Sequence, residues 1–125
     1  MRARDVMTAP VLSARAHWPV ARAAALMLRS GFTALPVVDE QDRLLGLVTE
    51  GDVLADRLLT GGRMRHSVSE VMTVDVLTAP PQLDLAALTR RLVAGGRRVV
   101  PVVEHGRLVG IVTRHDLLGT APDGS

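Results

Sequence analysis

The sequence predicts a mixed α/β (α+β) fold made of two halves, each running strand, helix, strand, strand, helix, related by a pseudo-two-fold axis and packed into one domain. Size, composition and an internal repeat support this class. The chain has 125 residues, near the commonest length of a single domain. Hydrophobic residues make up 47% and aromatic residues only 2%, so we expect a core of Val, Leu, Ala and Met.

Composition argues against several functional classes. Without cysteine, the chain can form no disulfide, thiolate nucleophile or thiolate metal site. The pI of about 10.9 does not indicate a basic surface, because the net charge is only +2 and every basic residue is Arg. Trp18 and Phe32 are the only aromatic residues, too few to stack nucleic-acid bases. No apolar stretch has the length of a signal peptide or membrane span, so we expect a cytoplasmic protein without membrane contact.

The internal repeat consists of three motifs that occur twice in the same order. DVMT at residues 5–8 recurs as EVMT at 70–73, LPVV at 35–38 recurs as VPVV at 100–103, and GLVTEGD at 46–52 recurs as GIVTRHD at 110–116. The second copy is one residue shorter than the first between its second and third motifs. This deletion falls in the turn between two strands, where a change in loop length costs the least stability. A repeat of this length predicts one supersecondary unit in each copy.

The elements follow from the apolar spacing within each copy. First strands are predicted at residues 11–12 and 76–77, hairpins at 34–49 and 99–113, and closing helices at 50–59 and 114–118. A longer helix begins at Pro19 and ends at Gly31, and its counterpart ends at Gly95. Pro36 and Pro101 favour an edge or the start of a strand. We therefore predict repeats at 1–60 and 70–120, a linker at 61–69 and a flexible tail at 121–125.

With these motifs, nearly the whole chain resembles a tandem pair of CBS domains, the modules named after cystathionine β-synthase. The resemblance implies a regulatory module that binds AMP, ADP, ATP or S-adenosylmethionine in the cleft between its halves. Such a compound would be a regulatory ligand, and no cofactor is required. Residue by residue, the resemblance implies that Asp52 and Asp116 accept hydrogen bonds from ribose hydroxyls. Thr49 and Thr113 would contact ribose or phosphate.

The resemblance also implies which segments complete each pocket. One pocket would combine Thr113 and Asp116 with Met7, Thr8, Leu12, Phe32, Thr33 and Ala34. The other would combine Thr49 and Asp52 with Met72, Thr73, Leu77, Arg97, Arg98 and Val99.

The residue types suit this ligand class without reference to the family. A carboxylate can accept hydrogen bonds from both vicinal hydroxyls of a ribose. The free N–H groups where a strand ends and a helix begins favour a phosphate. Arg114, Arg97 and Arg98 lie near the predicted pockets, and an arginine fork matches phosphate oxygens. Because Glu50 stands where the other copy has Arg114, we expect the Thr113/Asp116 pocket to bind a phosphate better.

Each of these signals also has a structural interpretation. Thr-x-x-Asp at a helix start resembles a capping box, although Asp is shorter than the usual Glu or Gln and is expected to reach back poorly. His115 at a helix start is expected to be solvated or to face phosphate rather than to be catalytic. The remaining histidines, His17, His66 and His105, are scattered without metal-ligand spacing, so no metal site is predicted.

The function expected from these observations is non-enzymatic. The chain has no P-loop lysine, no G-x-S-x-G and no H-E-x-x-H motif, and it ends close to the last motif, so no attached catalytic or transporter domain is expected. By resemblance we expect a homodimer, with an unidentified protein partner as a second route for output. Two alternatives stay open: a constitutive dimerisation or docking module with vestigial pockets, and a weak nucleic-acid binder, which the composition disfavours.

Overall fold

The computed structural model describes residues 1–63 and 66–120 and divides the chain into two compact units. The Thr49 unit spans Leu12–Val76. The Thr113 unit combines Met1–Val11 with the described part of Leu77–Ser125. The first residues of the chain therefore join the unit that contains most of the second repeat. The predicted tail at 121–125 lies outside the described residues, and the predicted domain boundaries stay a prediction.

The described elements alternate between short strands and helices, as the predicted class requires. In chain order they are α1 (Ala3–Val6), β1 (Ala14–Arg15), α2 (Val20–Ser30), β2 (Ala34–Val38), β3 (Leu44–Thr49), α3 (Glu50–Leu59), α4 (Val68–Val71), α5 (Leu85–Ala94), β4 (Val99–Glu104), β5 (Arg107–Thr113) and α6 (Arg114–Leu118).

The Thr49 unit contains a three-stranded sheet in the order β1-β2-β3, with β1 parallel and β3 antiparallel to β2. Helix α2 follows Pro19 and ends at Gly31, whose φ of 79° suits a residue without a side chain. These ends agree with the sequence prediction. The sheet and its helices enclose an aliphatic core made of Ala14, Val20, Ala23, Met27, Leu35, Val37, Val48, Val53 and Val68.

The Thr113 unit is built around the antiparallel pair β4-β5, and Ala79 forms a parallel bridge to Val102 of β4. Asp84 caps α5 by accepting a hydrogen bond of 3.1 Å from the backbone N–H of Ala86. The core of this unit is also aliphatic, as predicted, and consists of Ala3, Ala79, Leu88, Leu92, Val100, Val102 and Val112.

Three sequence predictions about the strands differ from the structure. No strand lies at 76–77, where the first strand of the second repeat was predicted, and the bridge to β4 forms at Ala79 instead. The first strand of the Thr49 unit lies at Ala14–Arg15 rather than at 11–12, because these residues pair with Val37 and Val38. Pro36 lies inside the central strand β2 and not at an edge. On the β3 side, Leu47, opposite Pro36, directs its own N–H and C=O towards Thr73, so the β2-β3 pair loses no hydrogen bond at Pro36. On the β1 side, the paired residues begin only at Val37.

No helix among residues 1–63 and 66–120 is both long and apolar enough to cross a membrane.

Candidate functional site

The candidate site begins where β3 ends and α3 starts, at Thr49. The backbone N–H of Thr49 donates to Oδ2 of Asp52 at 2.9 Å, and the N–H of Asp52 donates to Oγ1 of Thr49 at 3.1 Å. This reciprocal pair is a capping box, which satisfies two backbone donors that the helix itself leaves free. Both side chains are half-buried. The geometry therefore fixes the Asp52 carboxylate beside the end of the strand.

The Thr113 unit has the same arrangement between β5 and α6. The N–H of Thr113 donates to Oδ2 of Asp116 at 2.8 Å, and the N–H of Asp116 donates to Oγ1 of Thr113 at 3.2 Å. The Thr113 hydroxyl also lies 3.1 Å from the same carboxylate oxygen. The expectation that an aspartate would reach back poorly is wrong, because both Asp52 and Asp116 complete their boxes.

Capping leaves part of each carboxylate free. In both boxes Oδ2 is the atom engaged, and no described residue donates a hydrogen bond to Oδ1 of Asp52 or Asp116. A carboxylate oxygen can accept further hydrogen bonds from a ligand. The capping interpretation is thus confirmed, and it is compatible with the predicted ligand contact.

The start of β2 adjoins the Thr49 junction. The carbonyl of Thr33 accepts a hydrogen bond of 2.9 Å from the N–H of Glu50, and Ala34 pairs with Thr49. Phe32 precedes them and is 41% exposed. The aromatic ring is therefore not a core residue of this unit.

The opening motif of the second repeat pairs with the other edge of β3. Thr73 and Leu47 exchange two backbone hydrogen bonds of 2.8 Å. Gly46 is required beneath this segment, because a Cβ there would lie 2.7 Å from the Thr73 carbonyl oxygen and 3.0 Å from Sδ of Met72. This pairing places Met72 and Thr73 beside Leu47, which precedes Thr49 by two residues on β3.

The matching segment of the Thr113 unit comes from the N-terminus of the chain. Thr8 and Ile111 exchange backbone hydrogen bonds of 2.9 and 3.1 Å. The side chain of Met7 occupies the space that a Cβ on Gly110 would need. The Met-Thr pair of one repeat therefore lies beside the Thr-x-x-Asp strand of the other repeat.

The described geometry brings together part of each predicted pocket. The Thr113 unit contains the junction together with Met7, Thr8, Leu77, Arg97, Arg98 and Val99. The Thr49 unit contains the other junction together with Leu12, Phe32, Thr33, Ala34, Met72 and Thr73. Each predicted pocket also draws residues from the other unit, and those combinations stay predictions.

Charge distinguishes the two junctions. Arg114 opens α6, where its N–H donates to the Arg98 carbonyl at 3.2 Å and its Nε donates to the Arg97 carbonyl at 2.8 Å. Its terminal guanidinium nitrogens have no partner among the described residues, and His115 beside it is exposed. In the Thr49 unit the corresponding residue is Glu50. The Thr113 junction therefore offers the better surroundings for an anionic group.

A cavity that no sequence motif predicted lies behind the Thr49 junction. Its volume is about 530 Å³, and it is lined by Asp52, Ala55, Asp56, Leu59, His66, Glu70 and Val71. Nδ1 of His66 lies 2.5 Å from Oδ1 of Asp56, and this hydrogen bond raises the pKa of His66 above its usual value. The spacing of four residues places Asp52 and Asp56 on the same side of α3, but no spacing in the sequence predicts the contact with His66.

The comparisons with known proteins agree on the family. The model of the CBS domain matches residues 3–58 and 68–123. The CBS domain-containing protein YhcV of Bacillus subtilis is 32% identical over 114 residues, which cover 91% of this chain and 81% of YhcV. In contrast, the chain spans 41%, 22% and 13% of three longer curated relatives, two of which carry the names of enzymes.

Two solved structures are similar over nearly the whole chain. CBSX2 in complex with AMP has a TM-score of 0.86 and 28% identity, and the match covers 96% of this chain and 95% of CBSX2. The CBS domain pair of protein MJ0100 in complex with 5-methylthioadenosine and S-adenosyl-L-methionine has a TM-score of 0.84 and 28% identity, and covers 95% and 94% of the two chains. Because the CBS-domain model matches two segments that together make up most of the chain, this chain belongs to the CBS-domain family as a tandem pair.

Proposed function

We propose that this chain is a regulatory module that binds an adenosine-containing ligand at its Thr-x-x-Asp junctions. The observation that carries the proposal is the pair of matching boxes, in which each aspartate keeps one carboxylate oxygen without a partner among the described residues. Two similar structures contain AMP or S-adenosyl-L-methionine, which supports this ligand class. The ligand is regulatory, and no cofactor takes part.

The chemistry of recognition follows from the free oxygen. Oδ1 of Asp116 accepts hydrogen bonds from the ribose hydroxyls, while Oδ2 continues to accept the hydrogen bond from the backbone N–H of Thr113. Because the cap holds the carboxylate in place before the ligand arrives, little conformational entropy is lost on binding. Asp52 has the same role at the Thr49 junction.

A phosphate-bearing ligand prefers the Thr113 junction. The guanidinium of Arg114 is anchored through Nε and presents its terminal nitrogens to a phosphate, with His115 and Arg98 exposed nearby. Glu50 at the Thr49 junction repels the same group. We therefore expect AMP, ADP or ATP to bind first beside Asp116.

The output of the module is a contact rather than a reaction. Ligand binding biases a homodimer or a surface for an unidentified protein partner, provided that the two states bind the ligand unequally. The chain has no enzymatic activity of its own in this proposal, and its location is the cytoplasm.

A constitutive dimerisation or docking module is the second candidate, and one observation favours it. Leu28 of α2 and Leu54, Leu58 and Leu59 of α3 are 84%, 58%, 83% and 84% exposed. Clusters of exposed large apolar side chains are typical of interaction surfaces. This candidate predicts a dimer whose stability does not respond to adenosyl compounds.

Titration calorimetry with AMP, ADP, ATP and S-adenosylmethionine tests the proposal. Asp116→Asn is the informative variant, because its amide oxygen still caps Thr113 whereas its amide nitrogen replaces the oxygen that would accept from ribose. We expect AMP affinity to fall about tenfold or more, since a hydrogen bond to a charged group contributes roughly 1.5–3 kcal/mol.

Asp52→Asn is the matched control and should leave the stronger of two binding events intact. The proposal fails if no member of the panel binds, or if both variants bind as the native chain does. Oligonucleotide binding that falls steeply with salt would instead support the nucleic-acid alternative.

A further inference from the structure

Asp56 is an unusual residue for the interior of a protein. It is the one charged residue that is buried among the described residues, with 3% of its surface exposed. Oδ1 lies 2.5 Å from Nδ1 of His66, whereas Oδ2 is buried and has no hydrogen-bond partner. A buried carboxylate with one unpaired oxygen is costly unless a positive group lies against it. The energetic state of Asp56 therefore depends on His66.

His66 can exchange its proton with water, because 48% of its side chain is exposed. Two acidic groups lie against it: Asp56 from α3, and Glu70 from α4, whose Oε2 lies 3.9 Å from Nε2 of His66. Asp52 lines the same cavity. The guanidinium of Arg22, on α2, lies over the ring of Trp18 at 4.0 Å from its centroid. These surroundings favour the imidazolium form, in agreement with the raised pKa.

The backbone of His66 links the cavity to the start of α2. Its carbonyl accepts a hydrogen bond of 3.0 Å from the N–H of Val20, and Ser67 forms a bridge to Pro19. The N–H of Val68 donates to the Trp18 carbonyl at 2.8 Å. Backbone hydrogen bonds thus connect the segment around His66 to Trp18, the only tryptophan in the chain, so its fluorescence can report on this segment.

We propose that the His66–Asp56 contact is a pH-sensitive switch that closes one wall of the cavity behind the Thr49 junction. The imidazolium form of His66 holds residues 66–68 against α3 through an ion pair with Asp56 and neutralises the charge of this buried carboxylate. A neutral imidazole can still donate one N–H to Oδ1 but no longer balances the charge, so the wall loosens as the proton leaves.

The Thr113 unit has no such switch among its described residues. By the offsets of the repeat, Met1, Asp5 and Thr120 stand where His66, Glu70 and Asp56 stand. The Met1 carbonyl accepts the equivalent backbone hydrogen bond, from the N–H of Leu85 at 3.0 Å, but the Met1 side chain cannot titrate. The carboxylate of Asp5 accepts a hydrogen bond of 2.7 Å from the backbone N–H of Arg2. The switch is therefore a property of one unit.

Its effect on stability has a definite sign. Because folding raises the pKa of His66 above 6.5, the contact stabilises the fold fully below that pH. The stabilisation is lost as the pH rises through the raised value. The native chain should therefore resist urea better than His66→Gln in acid, and this advantage should shrink towards alkaline pH.

The test follows the His66 ring protons by NMR and Trp18 fluorescence from about pH 5.5 to about pH 8.5, the range in which histidine titrates. Because His17 adjoins Trp18, the fluorescence series uses a His17→Gln background. We expect His66 to titrate above 6.5 and Trp18 to change with the same midpoint. Asp56→Asn should lower that midpoint, and His66→Gln should abolish the fluorescence transition.

His115→Gln is the matched control and should keep the transition. The proposal is overturned if Trp18 does not follow the His66 titration, if the transition persists in His66→Gln, or if Asp56→Asn leaves the His66 midpoint unchanged. Asp56→Asn retains the shape and the hydrogen-bonding oxygen of the side chain, so it tests charge separately from packing.

Discussion

The Thr49 unit and the Thr113 unit have nearly the same backbone hydrogen bonds but surround them with different side chains. In each unit a Met-Thr segment pairs with the second strand of the hairpin, at Thr73–Leu47 and Thr8–Ile111. In each unit a Thr-x-x-Asp box joins that strand to a helix. Backbone pairing and capping are thus common to the units, whereas charge and core volume differ.

The charges diverge on both sides of the junction. The Thr49 unit has Glu50 beside its box and the buried Asp56 with His66 behind it, whereas the Thr113 unit has Arg114 and an uncharged Thr120 at the matching positions. Since capping requires only two polar groups at fixed spacing, the surrounding charges are free to differ. Under the proposed function the two junctions would differ in their preference for phosphate-bearing ligands, and under the proposed switch only the Thr49 unit would respond to the titration of a buried pair.

The largest difference that mutation should reveal lies in the cores. Leu88 of α5 is fully buried, and the matching residue of α2 is Ala23, also fully buried. Leu88→Ala should destabilise the fold by about 2–5 kcal/mol, because it leaves a cavity. Ala23→Leu should cost about 1–3 kcal/mol through overpacking. Urea unfolding monitored by circular dichroism measures both changes.

Equal stabilities for the native chain and either variant would show that the two helices are less tightly packed than their burial indicates. The half-buried Leu85 on the same helix provides the control, since Leu85→Ala should cost less than Leu88→Ala.

A smaller difference is expected at the two buried glycines beneath the Met-Thr segments. A Cβ at Gly46 would meet the Thr73 carbonyl oxygen at 2.7 Å, whereas a Cβ at Gly110 would meet the flexible side chain of Met7. Because a backbone oxygen in a strand pair moves less easily than a methionine side chain, Gly46→Ala should cost about 1–3 kcal/mol. Gly110→Ala should cost less, and urea midpoints of the two variants give the comparison.

The glycine comparison has its own control in Met7→Ala. Combining this change with Gly110→Ala should restore part of the stability lost in Gly110→Ala alone, because the space for the Cβ is then open. An equal loss at Gly46 and Gly110 would contradict the distinction.

The smallest effect concerns the charges and depends on the proposed function. Glu50→Arg should raise AMP affinity at the Thr49 junction by no more than about fivefold, because exposed charge pairs contribute roughly 0.2–1 kcal/mol. Arg114→Glu should lower affinity at the Thr113 junction. Calorimetry in the Asp116→Asn and Asp52→Asn backgrounds, respectively, separates the two sites.

Salt provides the check on this prediction. The gain from Glu50→Arg should shrink as ionic strength rises, because exposed charges are screened. A gain that persists in high salt would indicate a change in packing rather than in charge.

Local interactions explain which features could be predicted from the sequence. Gly31 ends α2 at the predicted residue because its positive φ suits glycine, and the hairpins lie where short links join β-branched runs. Thr49 and Asp52, like Thr113 and Asp116, are three residues apart, so their hydrogen bonds form within one turn of the chain. The sequence by itself therefore determined the repeated helices and hairpins, the positions of both Thr-x-x-Asp junctions and the family, whereas the reach of each aspartate to the backbone emerged only from the structure.

Contacts between distant segments were decided only by the tertiary structure. β1 lies at Ala14–Arg15 because of its pairing with Val37 and Val38, and residues 1–11 join the second repeat through Thr8 and Ile111. Asp56 meets His66 across ten residues, with α3 ending in between, so no local periodicity predicts their contact or the burial of the carboxylate. Hydrophobic spacing identifies which face of an element is buried, but the polar partner that a buried charge meets depends on how the whole unit packs.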